Sequence, residues 1–143
     1  MIRVIIDPNL IASVLIGGIT RERFIELTYH LDTIEFLYCD QLIKEIQSFP
    51  RKNYFKTKGI DSAIVKTFLG YFQGFAVKVI VTSQVKVGRD RNDHYLLSLA
   101  RDGRATYLIT GDPDLLQLQN YATTKIVNLK KFMDILEEMN LAR

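Results

Sequence analysis

The chain has no tryptophan, one cysteine, three prolines and two histidines in 143 residues. A single thiol, Cys39, excludes an internal disulfide framework and a cysteine-rich zinc cage, and it reads as a small buried residue in a strand. His30 and His94 stand in no Ser-His-Asp order at workable spacing, and no nucleophile elbow is present. The glycine fingerprint of a dinucleotide site and the Gly-Lys-Ser/Thr of a P-loop are also missing. No apolar run approaches a membrane span, and the first residues lack the cation-then-apolar pattern of a secretory leader. A cytoplasmic protein without membrane association is expected.

What is there is ordinary in bulk. Hydrophobic residues make up 48% and charged residues 24%, and the length suits one domain spanning residues 1–143 with a core of its own. A net charge of +3 and a sequence pI near 9.0 lean mildly toward a polyanionic partner. The cations are clustered. Arg51, Lys52, Lys56 and Lys58 are interleaved with Tyr54 and Phe55, and Arg89, Arg91, Arg101 and Arg104 form a second basic neighbourhood. Such mixtures suit a phosphate backbone with bases stacked on rings. A solvated loop whose aromatics dock on the core explains the first cluster equally well.

The periodicity alternates along the chain. Ile2 to Ile6 is a β-branched run broken only by Arg3, the pattern of a parallel strand covered on both faces. A helical stretch follows up to Gly17-Gly18, then a helix with Phe24, Leu27 and Leu31 in phase and Thr20 as its N-cap. Glu35 to Cys39 reads as a strand, and Asp40 as the cap of a short helix stopped by Pro50. After the basic segment, Gly59 and Asp61 introduce a helix from Ser62, and Ala76 to Val81 is strand-like. A polar connection leads to a helix from Asp93 with Leu96, Leu97, Leu99 and Ala100 inside and Gly103 at its stop. Thr106 to Thr110 is the next strand, Asp112 to Asn120 a short helix, Lys125 to Leu129 a last strand, and a terminal amphipathic helix ends the chain. Strands alternating with helices predict an α/β fold, a three-layer α/β/α sandwich around a mainly parallel sheet.

In such sheets ligands bind beyond the carboxyl ends of the strands, and there the acids lie. Asp7 ends the first strand, Glu45 sits in the helix after the second, Asp93 opens an apolar helix, and Asp112 follows the strand Thr106 to Thr110 with Asp114 two residues on. Each has a bland explanation: a turn before Pro8, a solvent-facing helix acid, a helix N-terminus favoured by the dipole, a cap with Pro113 at the first helical position. Gathered at one sheet edge, they would instead repel and raise one another's pKa. A divalent cation removes that repulsion, because Mg²⁺ or Mn²⁺ takes oxygen ligands and keeps several waters. Two ions about 3.5–4 Å apart can clamp both oxygens of a phosphodiester displacement. His30 reads as a surface residue, and His94 turns about 100° away from Asp93 on a helix.

These residues, in "IIDPNLIASVL", "QLIKEI", "RNDHYLLSLARDGRATYLITGDPDLL" and "KIVNLKKFMDIL", resemble the PIN domain family, which includes the VapC-like toxins of bacterial toxin–antitoxin pairs. The likeness runs in order over essentially the whole chain. It implies a metal-dependent endoribonuclease using one or two Mg²⁺ or Mn²⁺ ions, with its acids at Asp7, Glu45, Asp93 and Asp112 and a more variable one at Asp114. Asn9 and Thr110 match polar residues that orient the acids or a water from behind. Arg51, Lys52, Lys56 and Arg91 would hold the RNA backbone. The resemblance also implies an antitoxin partner and a homodimer. Where the family usually has Thr or Ser, this chain has Pro8. That departure leaves a second possibility open, a catalytically decayed PIN-like module for RNA binding or protein docking. Asp90 lies close enough to Asp93 to exchange roles with it, although the apolar helix pattern is in phase with Asp93.

Overall fold

A run of β-branched residues such as Val4 to Ile6 is stable at the centre of a sheet covered on both faces. The computed structural model, which describes residues 1–87 and 91–141, places Ile2–Ile6 there as β1. The chain continues through helices α1 (Pro8–Ile16) and α2 (Gly18–Thr28), strand β2 (Ile34–Tyr38), and helices α3 (Asp40–Gln47), α4 (Asn53–Thr57) and α5 (Ser62–Phe75). After strand β3 (Val77–Lys78) come α6 (His94–Asp102), β4 (Tyr107–Ile109), α7 (Pro113–Leu116), β5 (Asn120–Tyr121), β6 (Thr124–Val127) and α8 (Leu129–Leu141). Single 3₁₀ turns occupy Phe49–Arg51 and Arg91–Asp93.

The sheet order is β3-β2-β1-β4-β6-β5. β1 pairs in parallel with β2, Val4 opposite Phe36, and with β4, Ile6 opposite Ile109, while β4 pairs in parallel with β6. Among the described residues only β5 runs antiparallel. The chain steps outward from β1 to β2 to β3, then returns across β1 to lay down β4 and β6. Because parallel crossovers are right-handed, that reversal puts α1 to α5 on one face and α6 on the other, the three layers expected. It also opens a crevice between the carboxyl ends of β1 and β4, where an open sheet of this kind takes its ligand.

Aromatic rings fasten the first layer to the sheet. Phe36 of β2 lies 6.0 Å from Phe24 of α2 and 6.2 Å from Phe72 of α5, and Phe68 stacks on Phe72 at 5.5 Å. On β4, Tyr107 meets Phe132 of α8 edge-on at 5.3 Å.

Several local expectations differ from what forms. α2 begins at Gly18 with Gly17 as its N-cap, so Thr20 is already inside it. The competing interaction is Arg21, which turns back to donate to the carbonyls of Val14 and Leu15 at 3.0 and 2.7 Å and closes the end of α1. Asp40 is the first residue of α3 rather than its cap, which is Cys39, and its carboxylate pairs with Lys78 of β3 at 3.1 Å. Pro50 does not stop α3, which ends at Gln47; it sits inside the 3₁₀ turn that follows. Of Ala76 to Val81, only Val77–Lys78 joins the sheet, at its edge beside Leu37 and Tyr38. Beyond Tyr38 β2 offers no further residues to pair. The chain is tied down instead by Asp102, whose carboxylate accepts N–H bonds from Thr82 and Ser83 at 2.7 and 2.9 Å. The short helix expected from Asp112 ends at Leu116, and Asn120–Tyr121 turns back as β5.

Gly103 stops α6 for a packing reason. Its φ is an ordinary right-handed value of −84°, but a Cβ there would lie 2.8 Å from Leu37 Cδ1 and 3.0 Å from the Leu99 carbonyl oxygen. Its own carbonyl accepts from Arg3 at 3.1 Å, so the turn cannot simply move away. Gly103→Ala is expected to lower stability by about 1–3 kcal/mol. A urea midpoint unchanged from the parent would show that the packing there yields freely.

Candidate functional site

Asp7 directly follows β1, and Asp112 stands three residues beyond the end of β4. The two are built alike. Each is the N-cap of the next helix, each is followed by proline at the first helical position, and each accepts the N–H of the residue two further on. Asn9 N donates to Asp7 Oδ1 at 2.9 Å, and Asp114 N donates to Asp112 Oδ1 at 2.9 Å. Pro8 therefore occupies a position where its fixed φ suits the helix and its missing N–H would have had no intrahelical partner.

Thr110 joins the two turns. Its hydroxyl, fully buried, donates to Asp7 Oδ2 at 2.7 Å and accepts the Asp112 N–H at 3.0 Å. Asp7 is itself 3% exposed. Burial, the largest effect, pushes its carboxyl above the usual carboxylate range; the Thr110 and Asn9 donors pull it down, and the charge of Asp112 pushes it up again. Among the described residues neither Asp7 nor Asp112 is ion-paired with a cationic side chain.

The remaining acids face the same region. Glu45 of α3, Asp93 ahead of α6 and Asp112 line a cleft of about 520 Å³ together with Asn9, Lys52, Arg91 and Tyr95. A hollow of about 320 Å³ lined by Asp7, Asn9 and Asp112 adjoins it; Asn9 and Asp112 belong to both. Tyr95 was not legible as a site residue, because it falls in the apolar helix run. Its hydroxyl donates to Glu45 Oε1 at 3.0 Å. Burial first, and the charge of Glu45 second, raise its phenol far above the ordinary value, so it stays a proton donor and holds Glu45 toward the cleft. The available signal was its place two residues after Asp93.

Some candidates are not gathered here. The Asp114 side chain lines neither hollow, and its part is the backbone N–H given to Asp112. Lys52 and Arg91 line the cleft, whereas Arg51 and Lys56 are exposed outside it. His94 lines neither hollow. Arg89 and Asp90 lie outside the described residues.

The donor set suits a hard cation in kind, since it offers carboxylate oxygens without thiols or imidazoles. Its geometry is looser. Among the described residues no three His, Cys, Asp or Glu side chains form a group able to hold one metal, and Asp7, Glu45 and Asp112 are each engaged by a separate hydrogen bond. A Mg²⁺-like ion that keeps several waters asks for only one or two direct carboxylates, and Asp7 and Asp112 line one hollow.

The family model for the PIN domain matches residues 3–114. Among solved structures, VapBC2 from Rickettsia felis bound to a DNA fragment from their promoter is similar in fold, with a TM-score of 0.59 and 10% identity over 89% of this chain and 98% of that chain. No curated protein matches.

Asp7 gives a pH-dependent prediction. Its folded-state pKa lies above the value of 3.8 for a free side chain, so the stability it contributes is complete below that value and is lost as pH rises through the folded-state pKa. In metal-free buffer at pH 7 Asp7→Asn should melt a few degrees above the parent, and the gap should close as pH falls toward 4. A variant that melts lower at pH 7, with a gap unaffected by pH, would contradict this.

Proposed function

The chain belongs to the PIN domain family, and from that premise we propose that it is a metal-dependent endoribonuclease, the toxin of a toxin–antitoxin pair, working as one domain over residues 1–143. One observation carries the reading. Two carboxylates with no cationic side chain paired to either among the described residues, one of them almost wholly buried, are joined through Thr110 at the switch point of the sheet. A fold that keeps a desolvated acid beside a second acid supports a cation as the missing partner.

Asp7 and Asp112 would hold Mg²⁺ or Mn²⁺ directly, with Glu45 and Asp93 reaching it from across the cleft through water. Asp114 serves by fixing Asp112. When bound, the ion makes a water more acidic and stabilises charge on the phosphate oxygens. The protein's own groups do the rest. Thr110 and Asn9 fix the Asp7 carboxylate, and Tyr95 aims Glu45 so that its carboxylate can orient the attacking water. Lys52 and Arg91 at the cleft wall hold the phosphate, and Arg51 and Lys56 lengthen the basic track outside it. Hydrolysis forms one P–O bond to water and breaks the bond to the leaving oxygen, which takes up a proton.

A partner is supported by a second surface. Val14 and Leu15 of α1, Phe24 and Ile25 of α2 and Ile64 and Tyr71 of α5 line an apolar cleft of about 600 Å³, with Tyr71 55% and Ile25 43% exposed. A small antitoxin would cover it, or the second copy of a homodimer. Among the described residues no helix is long and apolar enough to cross a membrane, and an RNA substrate would place the protein in the cytoplasm. The decayed-module alternative draws on Pro8 and on carboxylates not closed into a three-ligand group. Pro8 weighs little for it, because the Asp7 cap forms around the proline.

With Mn²⁺ present the protein is expected to cleave RNA, and Asp7→Asn or Asp112→Asn to reduce the rate by about 100-fold or more. The parent's melting midpoint should rise with Mn²⁺ by mass action, and the rise should vanish in both variants. Cleavage at the parental rate by either variant overturns the proposed chemistry. A parent that neither cleaves nor shifts with Mn²⁺ establishes the decayed module instead.

A further inference from the structure

The segment between α3 and α5 has no evident structural reason for its surface. Helix α4 buries none of its five residues, and Tyr54 is 64% exposed. Yet the segment is held firmly at both ends. Phe49 is wholly buried and Phe55 meets it edge-on at 4.9 Å. Beyond α4 the Gly59 N–H bonds the Lys56 carbonyl at 3.0 Å and the Ile60 N–H bonds the Phe55 carbonyl at 3.1 Å, with Gly59 at φ +86° and Ile60 buried. That is a Schellman closure, and its left-handed residue favours glycine. Tyr54 stands on this base, its ring 5.7 Å from Phe55.

The cations are arranged around those rings. Lys52 Nζ lies 5.7 Å from the centres of both Phe49 and Phe55, and Lys58 Nζ 5.7 Å from that of Tyr54. Among the described residues Arg51, Lys52, Lys56 and Lys58 form no ion pair. Lys52 also lines the acid-bearing cleft, where Arg91 lines it too. An exposed ring framed by uncompensated cations, continuous with the cleft through Lys52, is complementary to a polyanion whose bases are free to stack. A duplex keeps its bases stacked on each other and offers no free base face for a ring to stack on.

We propose that residues 51–58 form a preformed platform for unpaired RNA, with Tyr54 stacking a base and the four cations holding flanking phosphates, so that the strand enters the cleft past Lys52. The choice of RNA rests on the nuclease reading above; the stacking of an unpaired strand rests on the platform itself. Because the base sits on a ring face, the preference is for single strands of any sequence rather than for one base.

The test is binding without chemistry. A fluorescein-labelled single-stranded oligoribonucleotide of mixed sequence, about a dozen nucleotides long, is titrated in EDTA and followed by anisotropy. Tyr54→Ala is expected to weaken binding about ten-fold or more with an unchanged melting midpoint, and Tyr54→Phe to bind within about two-fold of the parent. Combining Arg51→Ala, Lys56→Ala and Lys58→Ala should make the slope of log affinity against log salt shallower by about 0.7 for each phosphate no longer neutralised. The same sequence as a duplex should compete poorly. Parental affinity in Tyr54→Ala, equal competition by the duplex, or no binding by the parent overturns the proposal. A parent that binds in this way and cleaves nothing upholds the platform while refuting the nuclease.

Discussion

The arrangement of the site depends on one hydroxyl. Thr110 has a single proton to give, and because its oxygen already accepts the Asp112 N–H at 3.0 Å, that proton is directed to Asp7 at 2.7 Å. The bond runs between the ends of two adjacent strands held in register by Ile6 and Ile109. Positioning by side chains on separate loops would cost conformational entropy for each loop ordered; here the sheet has already fixed both ends. Asp7 N also donates to the Ile109 carbonyl at 2.9 Å, carrying the ladder one residue past the strand. The acids are thus set by the same hydrogen bonds that hold the central strands together.

That construction leaves an unbalanced charge in the core edge. Two donors, the Thr110 hydroxyl and the Asn9 N–H, stabilise the Asp7 carboxylate, but burial and the neighbouring Asp112 outweigh them. Destabilised acids are a recurring feature of sites where activity is retained at the expense of stability. The two similar Asp-Pro turns limit the damage, since each carboxylate also caps a helix N-terminus by accepting a backbone N–H. Capping and chemistry do not compete here. The turn at Asp7 is part of what aims its carboxylate.

Much of this was legible from residue types in order. The β-branched run of β1, the apolar period of α6 and the two Asp-Pro steps each follow from short-range rules, and the resulting topology brings Asp7, Glu45, Asp93 and Asp112 to one edge of the sheet. What escaped were interactions between residues far apart in sequence or in competition with a local rule. Thr20 is a good cap by type, but the Arg21 bonds to Val14 and Leu15 draw the start of α2 back to Gly18. Ile80 has the composition of a strand, yet it is 71% exposed because the neighbouring strand has ended. Tyr95 looks like core until its partner Glu45, fifty residues away, is known. Even with the acids grouped, their exact spacing is set by hydrogen bonds that no sequence pattern announces, and among the described residues they do not close into a metal-ligating group.

The opposite charges of the site and its surroundings constrain one another. A cleft lined by Glu45, Asp93 and Asp112 repels phosphate, and Lys52 and Arg91 in the same wall attract it. Direct pairing of these cations with the acids would cancel both functions. Among the described residues Lys52 forms no ion pair, and its ammonium lies 5.7 Å from the ring centres of both Phe49 and Phe55. On the proposed reading, neutralising the acids with a divalent ion also removes their repulsion of the RNA backbone. Binding of ion and strand must then be coupled, each strengthening the other by the same factor. The short segment from Phe49 to Ile60 is therefore more than a connection: it brings Lys52 to the wall of a cleft that also carries Glu45, Asp93 and Asp112.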